Sequence, residues 1–236
     1  AVYESHSPES PITATLDDVR DAAVRAGRSP ADVAVMAVTK RQPVAAITAA
    51  YAAGIRLFGE SRVQEALEKR ASFPQDVSLH MIGHLQRNKA NRAARIFDAV
   101  DSIDRAATAE ALARAEHAER AHPLEVLLEV NTSGEESKSG VTGFDALRIL
   151  AEQVAALPTL AVRGLLTIGP IGGDETANRT AFASLRSMRD RLEREIGCSL
   201  PVLSMGMSND YRDAIVEGAT VVRLGTVLFG ARESRG

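Results

Sequence analysis

Val33-Ala34-Val35-Met36-Ala37-Val38-Thr39-Lys40 is an unbroken run of buried-type residues closed by an amine. Its length and Val-rich composition predict a strand over Val33–Thr39, apolar on both faces as in a parallel sheet. Pro43 follows, then an alanine-rich stretch with Val44, Ile47, Thr48 and Tyr51 at helical spacing and Gly54 beyond, which predicts a helix. One βα unit is therefore legible here. The pattern repeats almost to the C-terminus. Further strands are predicted at Leu57–Gly59, Leu79–Ile82, Ala99–Ile103, Leu124–Asn131, Ala161–Ile168, Val202–Met205 and Thr220–Leu224. Helices are predicted at Leu16–Ala26, Val44–Ala53, Val63–Ala71, Gln86–Ile96, Arg105–Ala121, Phe144–Leu157, Thr176–Ile196 and Asp210–Val216. About eight strands with intervening helices match a (β/α)8 TIM barrel in count and length, with a doubly wound α/β sheet as the alternative.

Composition bounds the function. The chain has 236 residues and 45% hydrophobic content, with no linker-like division, so one domain over 1–236 is expected, of which 1–13 form a flexible leader. Only 4% of residues are aromatic and none is Trp, so the core is expected to be aliphatic. A formal net charge of −3 supplies no field for nucleic acid or an anionic membrane, and no apolar run reaches membrane-spanning length. The basic stretch Gln86-Arg87-Asn88-Lys89-Ala90-Asn91-Arg92 reads as a solvated helix face. A soluble, cytoplasmic monomer is expected. Cys198 is the only cysteine and the five histidines lack ligand-pair spacing, which leaves no metal site in view.

Several helix ends carry their own signals. Thr142-Gly143-Phe144-Asp145 resembles a capping box, Pro158 and Gly197 read as stops, and Ser208 as the cap of the helix holding Asp210, with Gly218 behind it.

In a barrel, every strand's C-terminal end opens on one face, where ligand-binding side chains gather. Those ends read Lys40; Glu60 and Ser61; Gly83 and His84; Ser102 and Asp104; Asn131; Thr167; Ser204 to Ser208; and Arg223 to Thr226. An amine emerging from a dry core loses part of its preference for the ammonium form, which suits Schiff-base chemistry. Ser208 and Gly225-Thr226 offer hydroxyls and helix-start N–H groups for a phosphate, and Gly206 and Gly225 allow close backbone approach. A buried Arg223 needs an acceptor, either a structural carboxylate or the ring nitrogen of a cofactor. The glycine loop Gly169-Pro170-Ile171-Gly172-Gly173 matches no nucleotide fingerprint and reads as a mobile connection. A Schiff-base lysine, a phosphate cradle and a ring-nitrogen partner together are what pyridoxal phosphate requires.

At these residues the chain resembles the pyridoxal-phosphate homeostasis proteins. The likeness is carried by Thr39-Lys40, Phe58-Gly59-Glu60-Ser61-Arg62-Val63-Gln64-Glu65, the run from His80 to Lys89, Ser137-Lys138-Ser139-Gly140, the run from Ser204 to Ser208, and the run from Val222 to Gly230. It spans about Ala14 to Arg232. The resemblance implies an α/β, single-domain (β/α)8 TIM barrel of the alanine-racemase N-terminal type. It also implies a pyridoxal 5'-phosphate site built from Lys40 as the Schiff base, with Ser204, Met205, Ser208, Arg223, Gly225 and Thr226. No metal and no catalytic residue are implied, and the role is management of cellular vitamin B6, with apo PLP-dependent enzymes as recipients. The chain departs from the family pattern at Ser61, where Asn is usual, at Gln42, where a second lysine is common, and at Asn209-Asp210.

Three functions fit a Schiff-base lysine in such a barrel. A racemase or decarboxylase needs an opposing base from an additional β-domain, for which the chain leaves no room, and an arginine partner keeps the cofactor ring a weak electron sink. A sugar-phosphate aldolase leaves Arg223 without a role. A binding and homeostasis protein without appreciable turnover is the expectation.

Overall fold

A computed structural model describes residues 10–115 and 120–230. Eight parallel strands close into one barrel in chain order: β1 (Ala34–Val38), β2 (Leu57–Glu60), β3 (Ser78–Met81), β4 (Ala99–Ile103), β5 (Leu124–Glu129), β6 (Leu160–Leu166), β7 (Val202–Ser204) and β8 (Val221–Leu224). The circle is completed by β1 on β8, with Met36 opposite Arg223. Around it lie α1 (Pro11–Arg25), α2 (Val44–Ala52), α3 (Val63–Lys69), α4 (Ala90–Ile96), α5 (Ala106–Arg114), α6 (Phe144–Ala155), α7 (Glu175–Ile196), α8 (Tyr211–Val216) and α9 (Thr226–Phe229). The barrel is the predicted one, and the doubly wound sheet is excluded by its closure.

The aliphatic palette does what parallel strands require. Phe58, Leu79, Val100, Val126, Leu128, Leu165, Leu203, Val222 and Leu224 are fully buried between the strands and the helices. Inside, space is tight. A Cβ on Gly59 would stand 2.6 Å from the Met36 sulfur, and one on Gly164 would stand 1.9 Å from the Val202 carbonyl oxygen. Only glycine lets β6 lie this close to β7.

Several boundaries differ from the sequence expectations for local reasons. Helix α1 starts at Pro11, with Ser10 Oγ accepting from Thr13 N–H, so the supposed leader is helical from Pro11 onward. Residues 1–9 of that leader lie outside the described residues. Helix α5 ends at Arg114, and residues 116–119 of its predicted extension also lie outside them. Gly143, at φ 83, caps α6, and Thr142 forms no capping box. Asp210 takes the N-cap position of α8 that was expected of Ser208. Gly197 stops α7 in the left-handed conformation, as its position predicts.

Candidate functional site

The C-terminal ends of β1, β3, β6, β7 and β8, with the segments that follow them, line a cavity of about 380 Å³. Lys40, Ser208, Arg223, Gly225 and Thr226 all line it, so five residues from both ends of the chain meet in one place. The closure of β1 on β8 brings them together. Val38, Ile82 and Ile168 supply its apolar walls. Such a mix of apolar wall and few convergent polar groups suits a small ligand.

Each polar group has a definite mount. Lys40 is half-buried just past β1. Ser208 Oγ accepts from Val227 N–H at 3.2 Å, in the first turn of α9, which leaves the hydroxyl hydrogen to donate elsewhere. Gly225 is the N-cap of that helix, and the amide of Thr226 has no carbonyl to meet within it. Arg223, 4% exposed, donates to Ser204 Oγ at 2.8 Å and to the Thr167 carbonyl at 2.9 Å. Both acceptors are neutral. Burial pushes its guanidinium down from the ordinary range, while the charges of Asp101, Glu129 and Asp210 oppose that.

Two residues of the predicted set sit outside the cavity wall. Ser204 is fully buried behind Arg223 and orients it, and Met205 is fully buried in the aliphatic core with its N–H on the Val221 carbonyl. Gly206 serves packing as well: at φ 99 its missing Cβ would stand 2.6 Å from that of Ala214 on α8. Other polar strand ends are structural. Ser102 Oγ donates to the Gly83 carbonyl, Asp104 accepts from Gly140 N–H, and Thr167 Oγ1 donates to the Val130 carbonyl.

The glycine loop read as a mobile connection forms part of the cavity wall. Gly169, Pro170, Ile171, Gly172 and Gly173 all line the cavity. Lys138 Nζ donates to the Gly169 carbonyl at 2.5 Å, and Glu135 Oε1 accepts from Ile171 N–H at 3.0 Å. Asn178 and Asp210 complete this side. Asn178 Nδ2 donates to Asp213, while its Oδ1 is buried without a partner close to Gly173. Burial raises Asp210 above the ordinary carboxylate range, against the Met207 N–H that its Oδ1 accepts. The partners of Gly169, Ile171 and Asn178 lie more than thirty positions away in the chain, beyond the reach of a local pattern.

Glu129, at the end of β5, is pushed up to about 7 by burial, with Asp104 adding and Arg223 opposing. Between its ordinary value of 4.5 and about 7 the folded chain therefore binds more protons there than the unfolded chain. Stability from this group is present at low pH and lost as pH rises through about 7. Glu129→Gln is expected to gain on the wild type by about 1 kcal/mol or more near pH 8 and by little near pH 5. Urea midpoints at the two pH values check this, and an equal shift at both would contradict it.

Among the described residues no cluster of three potential metal ligands occurs, and no helix is long and apolar enough to cross a membrane.

A closed parallel barrel that gathers a lysine, a buried arginine and a small-residue rim around one cavity defines a small-molecule-binding barrel. The family model for "Alanine racemase, N-terminal domain" matches residues 16–233. The Pyridoxal phosphate homeostasis protein of Pseudomonas aeruginosa is 46% identical over 216 residues, covering 91% of each chain. PipY of Synechococcus elongatus without PLP has a TM-score of 0.80 at 38% identity, covering 93% of this chain and 100% of that one. PipY with PLP bound has a TM-score of 0.77 at 39% identity, covering 89% and 98%. The chain belongs to the pyridoxal phosphate homeostasis protein family.

Proposed function

We propose that this protein binds pyridoxal 5'-phosphate as a Schiff base on Lys40 and serves intracellular vitamin B6 homeostasis, holding the cofactor and handing it to apo-enzymes without appreciable amino-acid turnover. The observation that carries the reading is the shared cavity of Lys40, Arg223, Ser208, Gly225 and Thr226. The donor set suits the cofactor: an amine for its aldehyde, hydroxyl and helix-start N–H groups for its phosphate, and a guanidinium for its ring nitrogen. When bound, pyridoxal phosphate supplies an aldehyde and an electron-accepting ring. Arg223 would restrain the second property, because a guanidinium remains cationic and a ring nitrogen held against it would stay unprotonated. Ser204 and the Thr167 carbonyl hold it in that role.

The purified protein with cofactor is expected to be yellow, and borohydride reduction with peptide mass spectrometry to place the pyridoxyl group on Lys40. Chiral assays over a panel of L-amino acids are expected to show no conversion. Turnover that vanishes in Lys40→Ala would establish a racemase or decarboxylase instead. Slow transfer of cofactor to an apo-enzyme is the expected activity.

The phosphate cradle has its own test. A charge-assisted hydrogen bond contributes about 1.5–3 kcal/mol, so Ser208→Ala is expected to weaken binding about tenfold or more. Pyridoxal without phosphate should bind far more weakly than the phosphorylated form, and equal affinity would refute the cradle.

A further inference from the structure

The turn that carries Lys40 is held from behind by a cluster of charges that the cavity does not use. Arg41, the next residue, has φ 58 and is the one non-glycine residue with positive φ among the described residues. A side chain in that region crowds the following carbonyl, so it persists where its surroundings over-determine it. Here the fixing group is Glu65 on α3, whose Oε1 accepts the Arg41 N–H at 2.5 Å.

Glu65 is itself anchored. Lys69 Nζ, one turn along the same helix, donates to that oxygen at 2.7 Å, to the Thr39 carbonyl at 2.8 Å and to Glu60 Oε1 at 3.3 Å. Thr39 Oγ1 donates to the same Glu60 oxygen at 2.7 Å, and Gln42 N–H returns to the Thr39 carbonyl at 3.0 Å. Both neighbours of Lys40 are thus tied to one lysine. The cluster is more than a surface helix pair, since Lys69 is 13% exposed and Glu60 fully buried. Glu60 Oε2 has no partner, and burial raises this carboxyl above its ordinary range against the Thr39 hydrogen bond and the Lys69 charge. For Glu65, burial pulls upward most strongly, yet Lys69 and the Arg41 N–H together hold the carboxyl below its usual range.

We propose that Glu65, anchored by Lys69, is a positioning residue for Lys40: it holds Arg41 in the left-handed conformation and so directs the neighbouring amine into the cavity. This rests on the reading of Lys40 as the attachment point. The alternative is a cluster that contributes stability and leaves the lysine's reactivity untouched.

Glycine adopts positive φ without help, and that separates the two. The experiment compares wild type, Glu65→Ala, Glu65→Gln and the double variant Glu65→Ala/Arg41→Gly. Three readouts are taken: the rate at which Lys40 acquires a borohydride-trapped label from pyridoxal phosphate, the affinity for pyridoxine 5'-phosphate, which lacks the aldehyde, and hydrogen exchange at the Arg41 amide. Glu65→Ala is expected to slow labelling about tenfold, with pyridoxine phosphate affinity within about twofold of wild type. Exchange at Arg41 should quicken by about tenfold or more once its acceptor is gone. The amide oxygen of Glu65→Gln still accepts that N–H and should keep most of the rate. Arg41→Gly should bring the double variant back to within about threefold of wild type. Labelling of Glu65→Ala at the wild-type rate, or a double variant as slow as the single one, overturns the proposal. Should Glu65→Ala not fold, Glu65→Ser carries the same expectation. Absence of label on Lys40 in wild type would sink the attachment reading instead, and unchanged Arg41 exchange in Glu65→Ala would still sink the clamp.

Discussion

Lys40→Ala is expected to lose the visible absorption of the bound cofactor completely and to yield no borohydride-trapped pyridoxyl peptide. The loss should be total because the nearby lysines are committed elsewhere. Lys69 Nζ is spent on Thr39, Glu60 and Glu65, and Lys138 Nζ on Glu135 and the Gly169 carbonyl. The proposed phosphate cradle does not include Lys40, so the variant should still bind the cofactor non-covalently, weakened by about tenfold or more, equivalent to about 1.4 kcal/mol. Equilibrium dialysis with pyridoxal phosphate measures that residue of affinity. Trapping on Lys89 or Lys138 to the wild-type extent would move the attachment point and with it the proposed function.

Gly164→Ala is expected to be the most damaging small substitution in the barrel. The new methyl would stand 1.9 Å from the Val202 carbonyl oxygen and 2.7 Å from its carbon, and backbone cannot swing aside as a side chain can. Strand β6 would have to part from β7, where Gly164 pairs with Val202. A cost of about 4 kcal/mol or more follows, in the class of severe overpacking. Thermal melting should fall by roughly 10 °C, or the variant should fail to accumulate in soluble form. Melting within about 3 °C of wild type would show that the two strands have slack that the geometry denies.

The fold was legible because parallel strands buried on both faces leave continuous apolar runs. Ala99–Ile103 was bounded to the residue, and Val33–Thr39 and Leu124–Asn131 contain β1 and β5 with one or two residues to spare. Residues at the strand ends were also legible as a set, since a closed barrel puts every such end on one face. What they do individually was less so. Ser208 read as a helix cap because it precedes a helix, yet its hydroxyl turns to α9, whose start lies further along the chain. Met205 entered the predicted set through the family resemblance and Gly206 through its backbone freedom, and in the structure Met205 packs in the core and Gly206 against Ala214. The wall at Gly169 to Gly173 depends on Lys138 and Glu135, and a short-range pattern cannot show such a partnership. For Glu65 a signal did exist: a carboxylate four residues before Lys69 on a predicted helix. Its reach to the Arg41 N–H was beyond any spacing rule.

The pairing of Met36 with Arg223 also sets an order in time. Synthesis delivers Lys40 before β8, so the amine is made before Arg223 and the Gly225-Thr226 turn exist. Until β8 docks between β1 and β7 the nascent chain holds a lysine without a cradle. The proposed site is therefore assembled only once β8 has docked on β1.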